Sequence, residues 1–347
     1  MVGEIIFTLS IACPVYTYAI YPLVLKILPK RKRGKGVSIE NIKIHAFIIS
    51  KDIEQAKLKK KKLLNLFPKE RLMISIVASH SEINKIINDS TADIILITDS
   101  KTELDQKAIR KIVDPLADSS VGCVVGILKK KENTDKNTNN SIYWKYENKV
   151  RNLESKIGCV SGTNKSLYVV RKELFPFIGQ NIINPDFYIS TKVIGDNIFA
   201  PDAIAYENEK EIPSNNFKKH IEESYGYFQS IELFKDLELK KGFVLFSHRV
   251  MKLLVPFNMM LLLGSNIVLF KKNNLYKIIL MIQELIYIKV FFHHFSGKKI
   301  SKIENDKYKL FDYTEKMLNL LDYFCTLNIS ILCGFYKYKK RNRQAGD

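Results

Sequence analysis

IILITDSKTELDQKAIRKIVDPLADSSVGCVVG (Ile94–Gly126) holds the alternation that decides the fold. Ile94–Thr98 is a short run of apolar, mostly β-branched residues and reads as a buried strand. Asp99 follows it directly, Gln106–Leu116 carries apolar residues at helical spacing, and Val121–Gly126 is a second buried strand. Toward the amino terminus the rhythm continues, with a strand at Lys43–Ile49, a helix with a lysine-rich face at Gln55–Leu66 and a strand at Met73–Ala78. Strands alternating with helices predict an α/β fold, a mostly parallel, doubly wound sheet with helices on both faces. Ligands of such sheets bind at the carboxyl ends of the strands, which is where Asp99 falls. Toward the carboxyl terminus, Lys129–Asn140 (KKKENTDKNTNN) reads as a polar surface loop. A more irregular α+β half then spans Ile142–Leu239, with a strand at Ser166–Val170 and a helix from Phe217 to Leu233.

Beyond this central unit the 347 residues sort into apolar and basic blocks. Ile5–Leu25 is 21 residues without a charge, long enough to cross a bilayer as a helix, and Pro14 and Pro22 are expected to kink it. Glu4 precedes the run and bases follow it, the reverse of a signal peptide, so the positive-inside bias puts the amino terminus outside and residue 30 onward in the cytoplasm. Leu253–Phe270 is a second uncharged block, Tyr276–Phe292 is interrupted by Lys277, Glu284 and Lys289, and Leu318–Tyr336 holds one acid, Asp322. Three full crossings there would place the last bases outside, so one block, the interrupted one, is expected to be re-entrant or interfacial. The net charge of +19 concentrates beside the apolar runs, at Lys30–Lys35 and Lys337–Arg343, which points to an anionic membrane surface rather than to nucleic acid. The five cysteines form no CxxC pair, which argues against a zinc site and a disulfide framework. The expected division is an N-terminal transmembrane helix (1–29), a basic linker (30–42), a cytoplasmic domain (43–245), C-terminal membrane or interfacial helices (246–338) and a basic tail (339–347).

Several segments, in order and spacing, resemble the membrane-anchored glycosyltransferases of family 2, the GT-A group that includes cellulose- and hyaluronan-synthase-like enzymes. Ile97–Gly126 is similar to the family's acidic motif with its following helix and strand. YWKYENKVRNLESKIGCVSGTNKSLYVVRKELF (Tyr143–Phe175) is similar to the Glu-rich helix and small-residue donor loop. INPDFYISTKVIGDNIFAPDAIAYE (Ile183–Glu207) resembles the segment that supplies the base, and NFKKHIEESYGYFQSI (Asn216–Ile231) the helix ending in Gly and Gln. FSHRVMKLLVP (Phe246–Pro256) and YFCTLNISILCGFYKY (Tyr323–Tyr338) resemble the helices behind such domains.

The resemblance implies a GT-A, Rossmann-like fold and transfer of a sugar from a nucleotide-sugar donor to a lipid-linked or polysaccharide acceptor, with inversion. It implies Asp186 as the base and Asp99 as the donor-side acid, a candidate ligand of Mg²⁺ or Mn²⁺. The structural alternatives are an N-cap for Asp186 and a turn acid for Asp99. The chain departs from the family pattern at the same pocket. Lys101 replaces the second acid, Lys165 a glycine, Pro185 an acid before the base, and Glu222 an arginine that offsets diphosphate charge. Lys51-Asp52 and Ala78–Glu82 stand where an Asn-Glu pair and an acidic uridine loop are usual. One reading makes Lys101, Lys165, Lys218 and Lys219 neutralise the diphosphate, so the enzyme works without metal. The other makes the protein an inactive scaffold for another glycosyltransferase or an export subunit.

The remaining constellations read as structural. His293-His294 is expected to anchor at the interface, and Ser247-His248-Arg249 lacks the glycine signature of a nucleophile elbow. Tyr143 and Trp144 are expected to pack, His220 to lie in the core or at the surface, and Lys57–Lys62 (KLKKKK) to form a solvated helix face toward the membrane.

Overall fold

Uninterrupted apolar runs make the centre of the fold a sheet of seven strands in the order β2-β1-β3-β6-β5-β7-β4. These are β1 (Ile44–Ile49), β2 (Leu72–Val77), β3 (Ile94–Asp99), β4 (Thr102–Leu104), β5 (Val121–Lys130), β6 (Tyr168–Arg171) and β7 (Asp196–Glu207). The computed structural model describes residues 2–130, 140–163, 165–207, 215–231, 237–295 and 309–346, so most of the polar stretch 129–140 lies outside the described residues. β1, β2, β3, β5 and β7 run one way, while β6 and β4 run against them. Strands buried on both faces read as continuous apolar sequence, which is why β3 is legible from its residues alone.

The helices are α1 (Val2–Val15), α2 (Tyr21–Ile27), α3 (Ile53–Leu63), α4 (Ile83–Ile86), α5 (Ala108–Val113), α6 (Asn140–Lys156), α7 (Pro185–Lys192), α8 (Asn215–Ser230), α9 (Leu239–Leu245), α10 (Met251–Leu269), α11 (Asn274–Phe295) and α12 (Lys309–Gly346). α3 and α5 cover one face of the sheet, burying Ala56, Leu63, Ile109 and Ile112 against Ile44, Ile48, Ile94 and Leu96. On the other face α4 and α7 bury Ile83 and Ile189 against Phe47, Ile95, Ile97 and Val125. Truncating a central residue such as Ile97 to Ala removes packing between the sheet and the α4 and α7 layer and costs about 2–5 kcal/mol.

The lysine-rich face of α3 differs from its expectation. Lys59 is buried and donates to the carbonyl of Thr102, because its stem crosses the sheet edge to reach β4. Lys62 pairs with Glu103 on the same strand at 2.8 Å.

Two helical segments among the described residues are long and apolar enough to cross a membrane, Val2–Ile27 and Leu239–Leu269. Each contains one π-helical turn, at Tyr16–Ile20 and Phe246–Val250. Pro22 lies just beyond the first of these turns and cannot donate to it, a local reason for the register to widen there. The segments lie antiparallel. Glu4 pairs with Lys272 at one end, Phe7 packs on Leu262 and Leu269, and the Tyr16 hydroxyl meets Ser247 Oγ at 2.8 Å where the two π turns face each other. The last apolar block, inside α12, lies against α8 and α10. Phe335 packs on Phe228 and Phe257, and Glu222 pairs with Lys337. The side chains of His293 and His294 lie outside the described residues.

Candidate active site

Parallel register brings three strand ends together, pairing Ile49 with both Val77 and Asp99. Ser50 N–H donates to the Val77 carbonyl at 2.9 Å, and Ser50 Oγ lies 2.7 Å from Ser100 Oγ. Asp99 ends β3 as expected. Its Oδ1 accepts the N–H groups of Lys101 (2.9 Å) and Thr102 (2.8 Å), closing the turn into β4. One oxygen of this buried carboxylate is therefore committed to the backbone, in agreement with the turn-acid alternative. The Lys101 side chain is exposed beside it.

Asp186 is placed differently. Asn184 is the cap of α7, its Oδ1 accepting the Phe187 N–H at 3.2 Å, so the carboxylate of Asp186 in the first turn is not used for capping. α8 holds this segment from behind. A Cβ on Gly226 would lie 2.6 Å from Asn184 Cβ, an approach that only glycine permits. Gln229 Oε1 accepts the Ile183 N–H at 3.0 Å and Gln229 Nε2 donates to the Asn181 carbonyl at 2.8 Å. These contacts give the Gly and Gln of the α8 sequence a physical role as a clamp on the acid.

The carboxylate meets His80, from the loop after β2, with Oδ1 to Nε2 at 2.9 Å, and both side chains are largely buried. The buried Tyr168 hydroxyl lies close to Asp186 but outside normal hydrogen-bond geometry. Burial opposes ionisation of Asp186, yet His80, with help from Tyr168 and the charge of Lys165, holds the carboxyl below its ordinary range. Thr163 Oγ1 donates to the Asp186 carbonyl at 2.7 Å and so ties the loop at 161–163 to the acid.

Lys165 is exposed, and its charge reaches both Asp186 and Glu223 of α8. Lys218 and Lys219 are exposed at the start of α8. Lys219 reaches Glu223, and no contact ties Lys218 to the group among the described residues. Burial again opposes ionisation of Glu223, and the hydrogen bond from His220 with the charges of Lys219 and Lys165 outweighs it. His220 thus faces this polar group, half-buried, with its ring near Tyr323. Tyr143 packs edge-on against Tyr323 as expected for a packing residue.

His80, Glu223 and Arg249 were missed as site residues in the sequence. The signal for His80 is its place at a strand's carboxyl end. For Arg249 it is a guanidinium inside a long apolar segment. Arg249 Nε donates to the Ser161 carbonyl at 2.7 Å, and its guanidinium lies 5.4 Å above the Tyr227 ring. Behind the loop at 161–163, Glu154 accepts from Tyr21, His248 and the Ser161 N–H, and Glu147 engages His248 and Lys252. Ser247-His248-Arg249 therefore joins the apolar segment Leu239–Leu269 to the loop and forms no nucleophile.

The residues at Asp99 do not fit the Mg²⁺ or Mn²⁺ set that the resemblance implies. Such a cation takes six or so oxygen ligands, usually one or two carboxylates with water and phosphate. Here one oxygen of Asp99 closes a turn, a lysine occupies the place of the second acid, and no three His, Cys, Asp or Glu side chains converge among the described residues. A hollow lined by Arg31, Arg171 and Asp196 lies at the other end of the strands, where β5 and β7 begin. Its Arg31 pairs with Asp118 and Asp196, and its Arg171 donates to backbone carbonyls, so these cations hold the fold together.

No family model and no curated protein matches the chain. Among solved structures it is similar to the mannosyltransferase PcManGT from Pyrobaculum calidifontis, in complex with GDP-Man and Mn²⁺. The TM-score is 0.64 at 14% sequence identity, over 95% of this chain and 99% of that one. GalNAc-T7 with UDP, GalNAc and Mn²⁺ aligns over 67% of this chain and 60% of that one at 10% identity, but its TM-score of 0.31 carries no argument. The chain has a GT-A-like α/β fold, with the mixed sheet of such glycosyltransferases and two apolar helical segments long enough to span a membrane.

Proposed function

We propose that the protein is a membrane-anchored family-2 glycosyltransferase. It moves a sugar from a nucleotide-sugar donor to a lipid-linked or polysaccharide acceptor, with its domain facing the cytoplasm. The observation that carries the reading is the Asp186 carboxylate, left free by the Asn184 cap and held ionised by His80 at the carboxyl edge of a GT-A-like sheet. Asp186 accepts the proton of an acceptor hydroxyl as its oxygen bonds to the anomeric carbon and the bond to the diphosphate oxygen breaks on the opposite face, inverting that carbon. The negative charge left on the diphosphate meets Lys101 and Lys165, with Lys219 at the mouth. Because cations stand where a second acid would hold a metal, donor binding is expected to persist in EDTA. The two apolar segments and the basic residues after the first anchor the domain at an anionic surface.

The test is transfer by the full chain in detergent from GDP- and UDP-sugars, with and without EDTA, for wild type and Asp186→Asn. Transfer by wild type and its loss in the variant, with nucleotide affinity unchanged, supports the assignment. Full activity in Asp186→Asn sinks it, and a folded wild type that binds no nucleotide moves the reading to a scaffold.

A further inference from the structure

Where the two apolar segments pass the domain, each is apolar on two faces. Ile20, Leu23 and Ile27 recur at helical spacing and are exposed, while Tyr21 and Leu25 between them are buried. Leu239, Phe243 and Phe246 repeat the pattern on the second segment, with Val244 and Leu245 buried beside them. The buried faces pack on α6, where Tyr21, Leu25 and Val244 meet Val150, Leu153 and Ile157. Each stretch therefore holds the domain by one face and turns a second apolar stripe outward. Since Glu4 pairs with Lys272 at the far end of the antiparallel pair, Ile27 and Leu239 share the near end, where they are 84% and 93% exposed.

The hollow at the start of β5 and β7 opens at that same end. It measures about 530 Å³, and its lining includes Lys32, five residues beyond Ile27, and Lys240, next to Leu239. Its charge is one-sided. Arg31 is matched by Asp118 and Asp196. Arg171 directs its guanidinium to the carbonyls of Leu116, Asp118 and Val121 and pairs with no carboxylate among the described residues. Lys32 and Lys240 are exposed and form no ion pair among the described residues, which leaves Glu173 as the one lining acid not already engaged by Arg31. Ile194, also exposed, gives the same hollow an apolar wall.

We propose that this hollow holds the phosphodiester headgroup of an anionic membrane lipid, with Lys32 and Lys240 meeting the phosphate and the stripes that end at Ile27 and Leu239 meeting the acyl chains. An ammonium on a flexible stem suits the task, because it reaches a charged headgroup while the stem stays against apolar surface. A basic hollow where two apolar helical segments meet the domain favours an anionic headgroup over a zwitterionic one. The exposed stripes decide for a lipid over a soluble anion, which makes no use of them. The site depends on the two segments being membrane anchors and is independent of sugar transfer.

The experiment has two arms. In the first, the full chain in phosphatidylcholine vesicles is washed with alkaline carbonate and floated, which reads anchoring alone. It is expected to stay with the vesicles; release overturns the anchoring and the site together. In the second, the full chain in neutral detergent is titrated with dioctanoyl phosphatidylglycerol, dioctanoyl phosphatidylcholine and glycerol 3-phosphate, followed by thermal shift. Saturable binding of phosphatidylglycerol is expected, with the other two at least about tenfold weaker. The double variant Lys32→Gln, Lys240→Gln is expected to lose about tenfold in that affinity while melting with wild type in the absence of lipid, since both side chains are exposed. Lys60→Gln with Lys61→Gln removes the same charge from exposed positions on α3 and is expected to change nothing. In an anchored chain, no preference for phosphatidylglycerol, glycerol 3-phosphate binding as tightly, or equal weakening in the two double variants overturns the headgroup site alone.

Discussion

Asp99 and Asp186 stand at the same edge of one sheet, yet their oxygens are differently engaged. The turn after β3 needs an acceptor for two N–H groups, and Asp99 supplies it. The first turn of α7 needs one as well, but Asn184 supplies it, and Asp186 turns to His80 instead. An acid at a strand end or a helix start is chemically available only where a neighbour has taken the structural work. The comparison therefore separates a carboxylate that shapes the site from one that is free to act in it.

The largest expected effect is on that free carboxylate: Asp186→Asn should lower transfer by about 10²–10⁴-fold while leaving the melting temperature near that of wild type. Equal loss from Asp99→Asn would erase the contrast, because asparagine keeps the turn acceptor. Asp99→Ala removes both turn hydrogen bonds and should destabilise the domain by about 2 kcal/mol in urea unfolding, with Asp99→Asn well below that. Next in size is the pH profile. Since His80 helps hold the Asp186 carboxyl low, His80→Gln should move the acid limb of transfer to higher pH, and a limb that stays put would show that His80 does not tune the acid. The wild-type contribution of Asp186 to stability has the matching sign. It is full above the unfolded carboxyl pKa and is lost as pH falls through the lower folded value. Smallest is Asn184→Ala, expected to cost about 1 kcal/mol in thermal unfolding. Transfer should fall with it if Asp186 is drawn in to cap the helix, which sharpens the comparison directly.

Much of the fold was legible. The runs read as strands at Lys43–Ile49, Met73–Ala78, Ile94–Thr98 and Val121–Gly126 fall on β1, β2, β3 and the start of β5, because burial on both faces leaves an unbroken apolar signature. β7 was harder to read. It contains Pro201, and its register with β5 shifts between Val125 and Ile127, so neither alternation nor continuity marks it. Lys59 misled because lysine-rich helix faces are usually solvated, and nothing local shows that one stem reaches a carbonyl on β4. Glu222 looked like a damaged phosphate-binding position. Its place in the fold is outward, paired with Lys337 of α12, while its neighbour Glu223 faces the polar group around Lys165.

The sequence by itself determined the strand and helix alternation, the two apolar segments and the candidate acids, since these depend on the character and spacing of adjacent residues. Only the tertiary structure decided which polar atoms remain available. Asp186 meets a histidine 106 positions away, and Glu147 and Glu154 are engaged by residues of a distant helical segment. Apolar periodicity is local, because it records which face is buried. Hydrogen-bond satisfaction is not, because every buried oxygen has few positions to give and the fold chooses who takes them.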